Sequence, residues 1–180
     1  PISGILLHGE PGCGKTLIAK AIAQSFLETA KNERDAFIHL KGSDILDMYI
    51  GNSEKIISGT FQRAREFMKK AQKRCVIFID EAEAILSHRG ATNFSCVPAF
   101  LAEMDGIYEE KPLVILATNH ARMLDDAIVR EGRMDIKLHI GRPTLEEFKE
   151  IFSIHMKGRE TSELPKLIDY VSEQVFSTSL

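Results

Sequence analysis

Eight consecutive residues near the start of this chain, Gly9-Glu10-Pro11-Gly12-Cys13-Gly14-Lys15-Thr16, narrow its fold more than any other stretch. They fit the spacing G-x-x-x-x-G-K-[ST], in which glycines let the backbone curl closely and aim its N–H donors at a polyphosphate. The flanks agree. Ile5-Leu6-Leu7 is short and apolar, as a buried strand is, and Leu17, Ile18, Ala21, Ile22 and Phe26 recur at helical spacing. A helix opening near Lys15 brings the positive end of its dipole to the same place. Lys15 is then expected to reach the β and γ phosphates, and the Thr16 hydroxyl to ligate Mg²⁺. A Gly-rich turn with an incidental lysine would share the letters but not the flanking strand and helix. The stretch reads as a nucleotide-binding loop, with Leu17 as its last contact residue.

Composition sets the frame around it. A chain of 180 residues closes one sizeable core and the start of a second. A formal charge of −3 gives no global attraction to nucleic acid or anionic membrane. Cys13, Cys75 and Cys96 are odd in number and far apart, with no C-x-x-C. That argues against a disulfide framework or zinc site and for a reducing, cytoplasmic setting. No apolar run approaches a membrane span, and no signal peptide is evident. The chain opens just before a core strand without an initiator Met, the pattern expected of an excised domain.

Further along, Ala36 to Leu40 is a plausible second strand, and Gly42-Ser43-Asp44 opens a short helical turn ending near Tyr49-Ile50-Gly51. A long helix follows, with Asn52 or Ser53 as its cap. Ile57, Phe61, Ala64, Met68 and Ala71 form its apolar face, while Lys55, Arg63, Glu66 and Lys70 point outward. Cys75 to Ile79 is a continuous apolar run, as expected of a parallel strand covered on both faces. It ends in Asp80-Glu81, at the carboxyl edge where open α/β sheets bind ligands. Asp80 suits the outer sphere of the Mg²⁺ held by Thr16, reached through water. Glu81 is placed to take a proton from the attacking water or orient it. The strand from Pro112 to Thr118 ends at Asn119, whose amide could hold that water or contact the γ-phosphate. Arg130 and Arg133 are planar and always charged, suited to a phosphoryl transition state, though surface arginines in salt bridges would look alike. A last strand from Ile136 to Ile140 is followed by Gly141-Arg142-Pro143, a hinge. Thr144 to Glu147 is a capping box opening a helix, and another helix is expected around Leu164 to Val175.

These motifs, taken together, resemble the AAA family of ATPases over nearly the whole chain. G-E-P-G-C-G-K-T looks like its Walker A, V-I-F-I-D-E its Walker B with Glu81 as catalytic glutamate, and L-A-T-N its first sensor with Asn119. L-D-D-A-I-V-R-E-G-R-M-D is similar to the second region of homology, in which the arginines matching Arg130 and Arg133 reach the neighbouring subunit's nucleotide. G-C-G-K-T-L-I-A-K-A-I-A and F-Q-R-A-R-E most resemble bacterial proteasome-associated ring ATPases of the ARC and Mpa type. M-Y-I-G matches a pore loop and places Tyr49, Ile50 and Gly51 in a central channel; a surface aromatic is the plainer reading of Tyr49. Asp105-Gly106-Ile107 looks like an intersubunit signalling segment. I-F-S-I-H matches a lid helix over adenine, giving Ile151 and His155 to the nucleotide; a core-facing histidine is the equal alternative.

The resemblance implies a doubly wound α/β P-loop domain over residues 1–141, with five parallel strands in the order 5-1-4-3-2. Residues 142–180 would start a truncated α-helical lid. It further implies Mg²⁺-dependent ATP hydrolysis by a homo-oligomeric ring, a hexamer, that unfolds or translocates protein and has a protease or adaptor partner. A nucleic-acid motor or loader and a nucleotide-dependent assembly module are the rivals. The acidic balance and the lack of a basic stripe with interleaved aromatics weigh against the first. Departures from the family pattern at Glu10 and Glu131 touch no chemistry, whereas Asp47-Met48 and Asn52 flank the pore loop and bear on substrate grip. The span from Arg89 to Pro98, where a second pore loop is expected, looks short.

Overall fold

Strands β1 (Gly4–His8), β2 (Phe37–Lys41), β3 (Val76–Asp80), β4 (Leu113–Thr118) and β5 (Ile136–His139) pair in parallel in the order β2-β3-β4-β1-β5. Read from the other edge, this is the expected 5-1-4-3-2. The computed structural model describes residues 2–26, 36–47, 52–88, 96–156, 166 and 168–172. The chain forms two compact units, Pro1–Ile140 and Gly141–Leu180. The sheet belongs to the first, with α1 (Lys15–Phe26), α2 (Gly42–Asp47), α3 (Ser53–Ala71) and α4 (Val97–Asp105).

Strand periodicity decides which residues face which helices. Ile5, Leu7, Val76, Phe78, Leu113, Ile115 and Ala117 pack with Ala19 and Ala23 of α1. The alternate set, Leu6, Ile77, Ile79, Val114 and Leu116, packs with Ile57, Phe61 and Met68 of α3 and Phe100 of α4. A sheet covered on both faces needs apolar residues at successive positions, which is why β3 and β4 read as unbroken hydrophobic runs. Phe61 meets Phe100 edge-on, ring centres 5.8 Å apart at 80°. Such a pair adds about 0.5–1.5 kcal/mol beyond the area it buries.

The apolar face expected of α3 is buried from Ile57 to Met68, while Ala71 in the last turn is only half-buried. Asn52 occupies the cap position with helical dihedrals and makes no side-chain cap bond. Ser53 instead turns its hydroxyl to the Ile45 carbonyl at 3.1 Å, tying α3 back to α2. In the second unit α5 (Leu145–Met156) opens on the expected capping box. Thr144 donates its backbone N–H to Glu147 Oε2 at 2.8 Å, and Glu147 N–H returns to Thr144 Oγ1 at 3.3 Å. The Thr144 N–H, with the Thr144 hydroxyl donating to the same oxygen at 3.0 Å, holds the Glu147 carboxyl below its ordinary range. Lys166 and Ile168 to Ser172 are helical, and Lys149 pairs with Asp169 at 2.6 Å. The rest of the helix expected over 164–175 lies outside the described residues. No helix among them is long and apolar enough to cross a membrane.

Candidate active site

The carboxyl ends of β1, β3 and β4 stand side by side, and the candidate residues follow them directly. β1 ends at His8, and the chain turns at once through Gly9, whose φ is 148°. A Cβ at this position would stand 2.0 Å from the Ile140 carbonyl oxygen, so both conformation and space demand glycine. The loop is pinned on both sides: Gly9 N–H donates to Thr118 O at 3.3 Å, and Ile140 N–H to His8 O at 2.7 Å. Gly9→Ala is expected to lower the melting midpoint by at least about 3 °C and to abolish nucleotide binding. A melting curve and a fluorescent-nucleotide titration check it.

Gly12 and Gly14 also have positive φ, 79° and 87°, but no protein atom lies within 4 Å of where a Cβ would stand. Here the backbone conformation alone selects glycine, and the loop surface stays open to phosphate oxygens. Lys15 is buried, with Nζ donating to Gly9 O at 2.8 Å and Glu10 O at 2.6 Å. α1 carries no acid in its first turn, so its positive end is left for an anion. Leu17 is largely exposed beside the loop, and Cys13 is half-buried. His8, just beneath, has its imidazole pushed below the ordinary range by burial and by His139, whose ring lies 5.2 Å away.

Thr16 Oγ1 donates to Asp80 Oδ2 at 2.7 Å, joining residues 64 apart in sequence. Two hard oxygen donors held this close suit Mg²⁺, so the residues present fit the ion. The other Asp80 oxygen accepts the Glu81 N–H at 3.0 Å. That bond accompanies an uncommon backbone at Glu81, φ 52° and ψ 45°, the left-handed region that non-glycine residues occupy mainly at strained or functional positions. The Glu81 carboxylate meets Lys41 Nζ at 3.4 Å, where β2 ends beside β3. Both side chains are substantially exposed, so the pair orients Glu81 more than it stabilises the fold.

Two residues here escaped the sequence reading. Lys41 carries no motif and is brought to Glu81 only by strand register. Glu83, on the short 3₁₀ turn Ala82–Ala84, accepts the Asn119 backbone N–H at 3.3 Å and so fixes where the chain leaves β4. Its second oxygen is buried without a hydrogen-bond partner among the described residues, an expensive state for a carboxylate. The D-E-A-E spacing was the available signal: two positions beyond Glu81, on the same turn.

Arg130 and Arg133 are not part of this cluster. Asp135 N–H bonds Gly4 O at 3.1 Å and Ser3 N–H bonds Asp135 Oδ2 at 2.7 Å, which fixes residues 133–135 at the amino end of β1. The phosphate loop leaves the other end, roughly 15 Å of strand away, beyond the reach of an arginine side chain. Arg133 is engaged: it grips Asp105 through Nε at 2.9 Å and Nη2 at 2.5 Å, and Nη1 donates to the Ala127 carbonyl. The guanidinium holds the Asp105 carboxyl below its usual range. Arg130 is exposed, and no side-chain partner is seen for it among the described residues. Ile151 and His155 lie in the second unit, both exposed on α5, so His155 is not buried in its own unit's core. Tyr49, Ile50 and Gly51 lie outside the described residues, as does the segment 89–95.

Residues 5–142 match the model of the "ATPase family associated with various cellular activities (AAA)". An "AAA ATPase forming ring-shaped complexes" from Corynebacterium diphtheriae is 38% identical over 164 residues, 87% of this chain and 32% of the relative. A "Proteasome-associated ATPase" from Saccharomonospora viridis is 40% identical over 185 residues, 96% of this chain and 30% of its own. Another of that name, from Thermomonospora curvata, is 41% identical over 167 residues, covering 87% and 28%. The chain thus spans about a third of the length of the curated relatives it matches.

Proposed function

We propose that this chain, which belongs to the AAA family of ATPases, is the motor domain of a ring that couples ATP hydrolysis to pulling on protein substrates. The observation that carries the reading is the Thr16–Asp80 contact at 2.7 Å. It brings the phosphate loop and the acids after β3 to one point, with Glu81 and Asn119 on the adjoining turns.

In this reading Lys15 leaves the two loop carbonyls that now hold it and pairs with the β and γ phosphates. The backbone N–H groups from Gly12 to Thr16 and the open end of α1 carry the remaining phosphate charge. Thr16 and, through water, Asp80 would hold Mg²⁺, which when bound neutralises charge building on the phosphoryl oxygens. Glu81, turned by its left-handed backbone and steadied by Lys41, accepts a proton from the attacking water. Asn119, fixed through Glu83, orients that water against the outermost phosphate. Arg130 and Arg133 belong to the next subunit's site, since their own phosphate loop is at the far edge of the sheet.

A hexameric ring, a lid formed by residues 142–180 with Ile151 and His155 towards adenine, and a pore lined by Tyr49 and Ile50 complete the proposal. Two relatives are named for ring-shaped complexes and for association with a proteasome, and on that support we extend the proposal to feeding a proteasome-like protease in the cytoplasm. An aromatic ring on a pore loop grips extended polypeptide through contacts that do not depend on sequence. Tyr49→Ala in the full-length protein is therefore expected to abolish unfolding of a tagged substrate while most ATPase activity survives. Unfolding at the wild-type rate by that variant would refute the pore assignment.

A further inference from the structure

Behind the exposed turn that follows α4 lies a set of contacts the proposed mechanism has not used. Ile107 is fully exposed at the apex of a three-residue turn closed by Tyr108 N–H to Gly106 O at 3.1 Å. The Tyr108 ring folds back over Gly106 so tightly that a Cβ there would stand 2.0 Å from Cε2. On the ring lies the Arg65 guanidinium of α3, its carbon 3.9 Å from the centroid. Arg65 also bonds Glu103 of α4 at 2.7 Å, with both side chains mostly buried. Glu103 and Asp105 are two apart on a helix and so face different ways. One is taken by Arg65, the other by Arg133.

We infer that Arg65 and Tyr108 form a clamp that positions the last turn of α4, and through Asp105 the Arg133 guanidinium. Arg65 and Tyr108 are thus positioning residues for hydrolysis at the adjacent subunit. The inference rests on the ring reading above. The physical reason is the glycine between the two anchors. Gly106 is free to adopt many conformations, so without a ring packed on it the Asp105 carboxylate and the projecting Ile107 lose their common frame. The cation–π contact supplies the missing restraint, because a guanidinium prefers the electron-rich face of the phenol ring. Arg65 suits this better than lysine would: one planar group stacks on Tyr108 and still presents an N–H to Glu103.

The test uses the full-length protein. Tyr108→Ala is expected to lower kcat of the assembled ring by about three- to ten-fold, with KM, subunit nucleotide affinity and melting midpoint unchanged. Tyr108→Phe, which keeps the ring face, should restore the wild-type rate. Arg65→Lys, which keeps the charge beside Glu103, should fall with Tyr108→Ala. In an Arg133→Ala background Tyr108→Ala should produce no further loss, an outcome a general structural defect would not give. Equal losses in both backgrounds, or a Tyr108→Ala ring as fast as wild type, would overturn the clamp. If Tyr108→Ala fails to fold, Arg65→Lys carries the same comparison. A wild-type chain whose turnover per subunit does not rise with concentration would instead sink the ring reading, and the clamp with it.

Discussion

Glu81→Gln in the full-length protein should bind ATP about as tightly as wild type and turn it over roughly 10²–10⁴-fold more slowly. The expectation follows from how the site divides its labour. Affinity comes from the loop amides, the end of α1 and the buried Lys15, none of which touches the Glu81 carboxylate. Asp80 keeps its bond to Thr16 whether residue 81 is an acid or an amide. What the amide cannot do is accept a proton from water. The substitution preserves the side chain's shape, and the strained left-handed backbone at this position is held from Asp80, not from the side chain that changes. Lys41 loses its counter-charge, but that pair is too exposed to matter for folding. Lys15→Ala provides the opposite pattern, since its loss removes a phosphate ligand and should weaken binding itself. Turnover by Glu81→Gln within about ten-fold of wild type, measured alongside nucleotide affinity, would remove Glu81 from the proton-transfer role.

The two variants also mark what the sequence makes legible. A phosphate loop is a local device: its chemistry requires fixed residue types at fixed spacing, so Gly9 to Thr16 could be read before any fold was known. The strands were legible for a related reason. Burial on both faces forces apolar runs, and those runs delimit β3 and β4 to within about a residue, the usual uncertainty at an element's end. Strand order came from resemblance, because nothing in periodicity says that β1 lies between β4 and β5.

Side-chain partners separated along the chain were the part that could not be read. Lys41 reaches Glu81 only because β2 and β3 pair in register, Lys41 opposite Asp80. Arg133 finds Asp105 from 28 residues away, and Arg65 finds Tyr108 from another element. No spacing rule encodes such meetings; they are consequences of packing. The α3 cap shows the same limit on a smaller scale. Asn52 is a good capping residue by type and its carbonyl takes the Ile56 N–H at 3.0 Å, yet its side chain makes no cap bond; the tertiary tie at this end is the Ser53 hydroxyl on the Ile45 carbonyl.

Arg130→Ala is expected to lower turnover of the full-length ring by about 10³–10⁵-fold, the span associated with loss of an arginine finger, without weakening nucleotide binding. The geometry separates the two arginines in a way their shared motif does not. Arg133 already satisfies three of its donors, on Asp105 and Ala127, so its guanidinium faces the neighbouring site from a fixed position. Arg130 is exposed, with no side-chain partner seen among the described residues, and is the one of the two free to close directly onto a neighbour's phosphate. Both stand at the amino edge of the sheet, where they cannot assist the site at the carboxyl edge of their own chain. A complementation experiment follows. Arg130→Ala subunits keep an intact loop, and Lys15→Ala subunits keep an intact arginine. Each ring is inactive alone, but in mixed rings a good loop faces a good arginine wherever the two kinds adjoin in the right order. Mixing is therefore expected to restore turnover, with a maximum near equal proportions. Action within one chain predicts that mixtures stay as inactive as their parents, and that result would return Arg130 to the role of a surface charge.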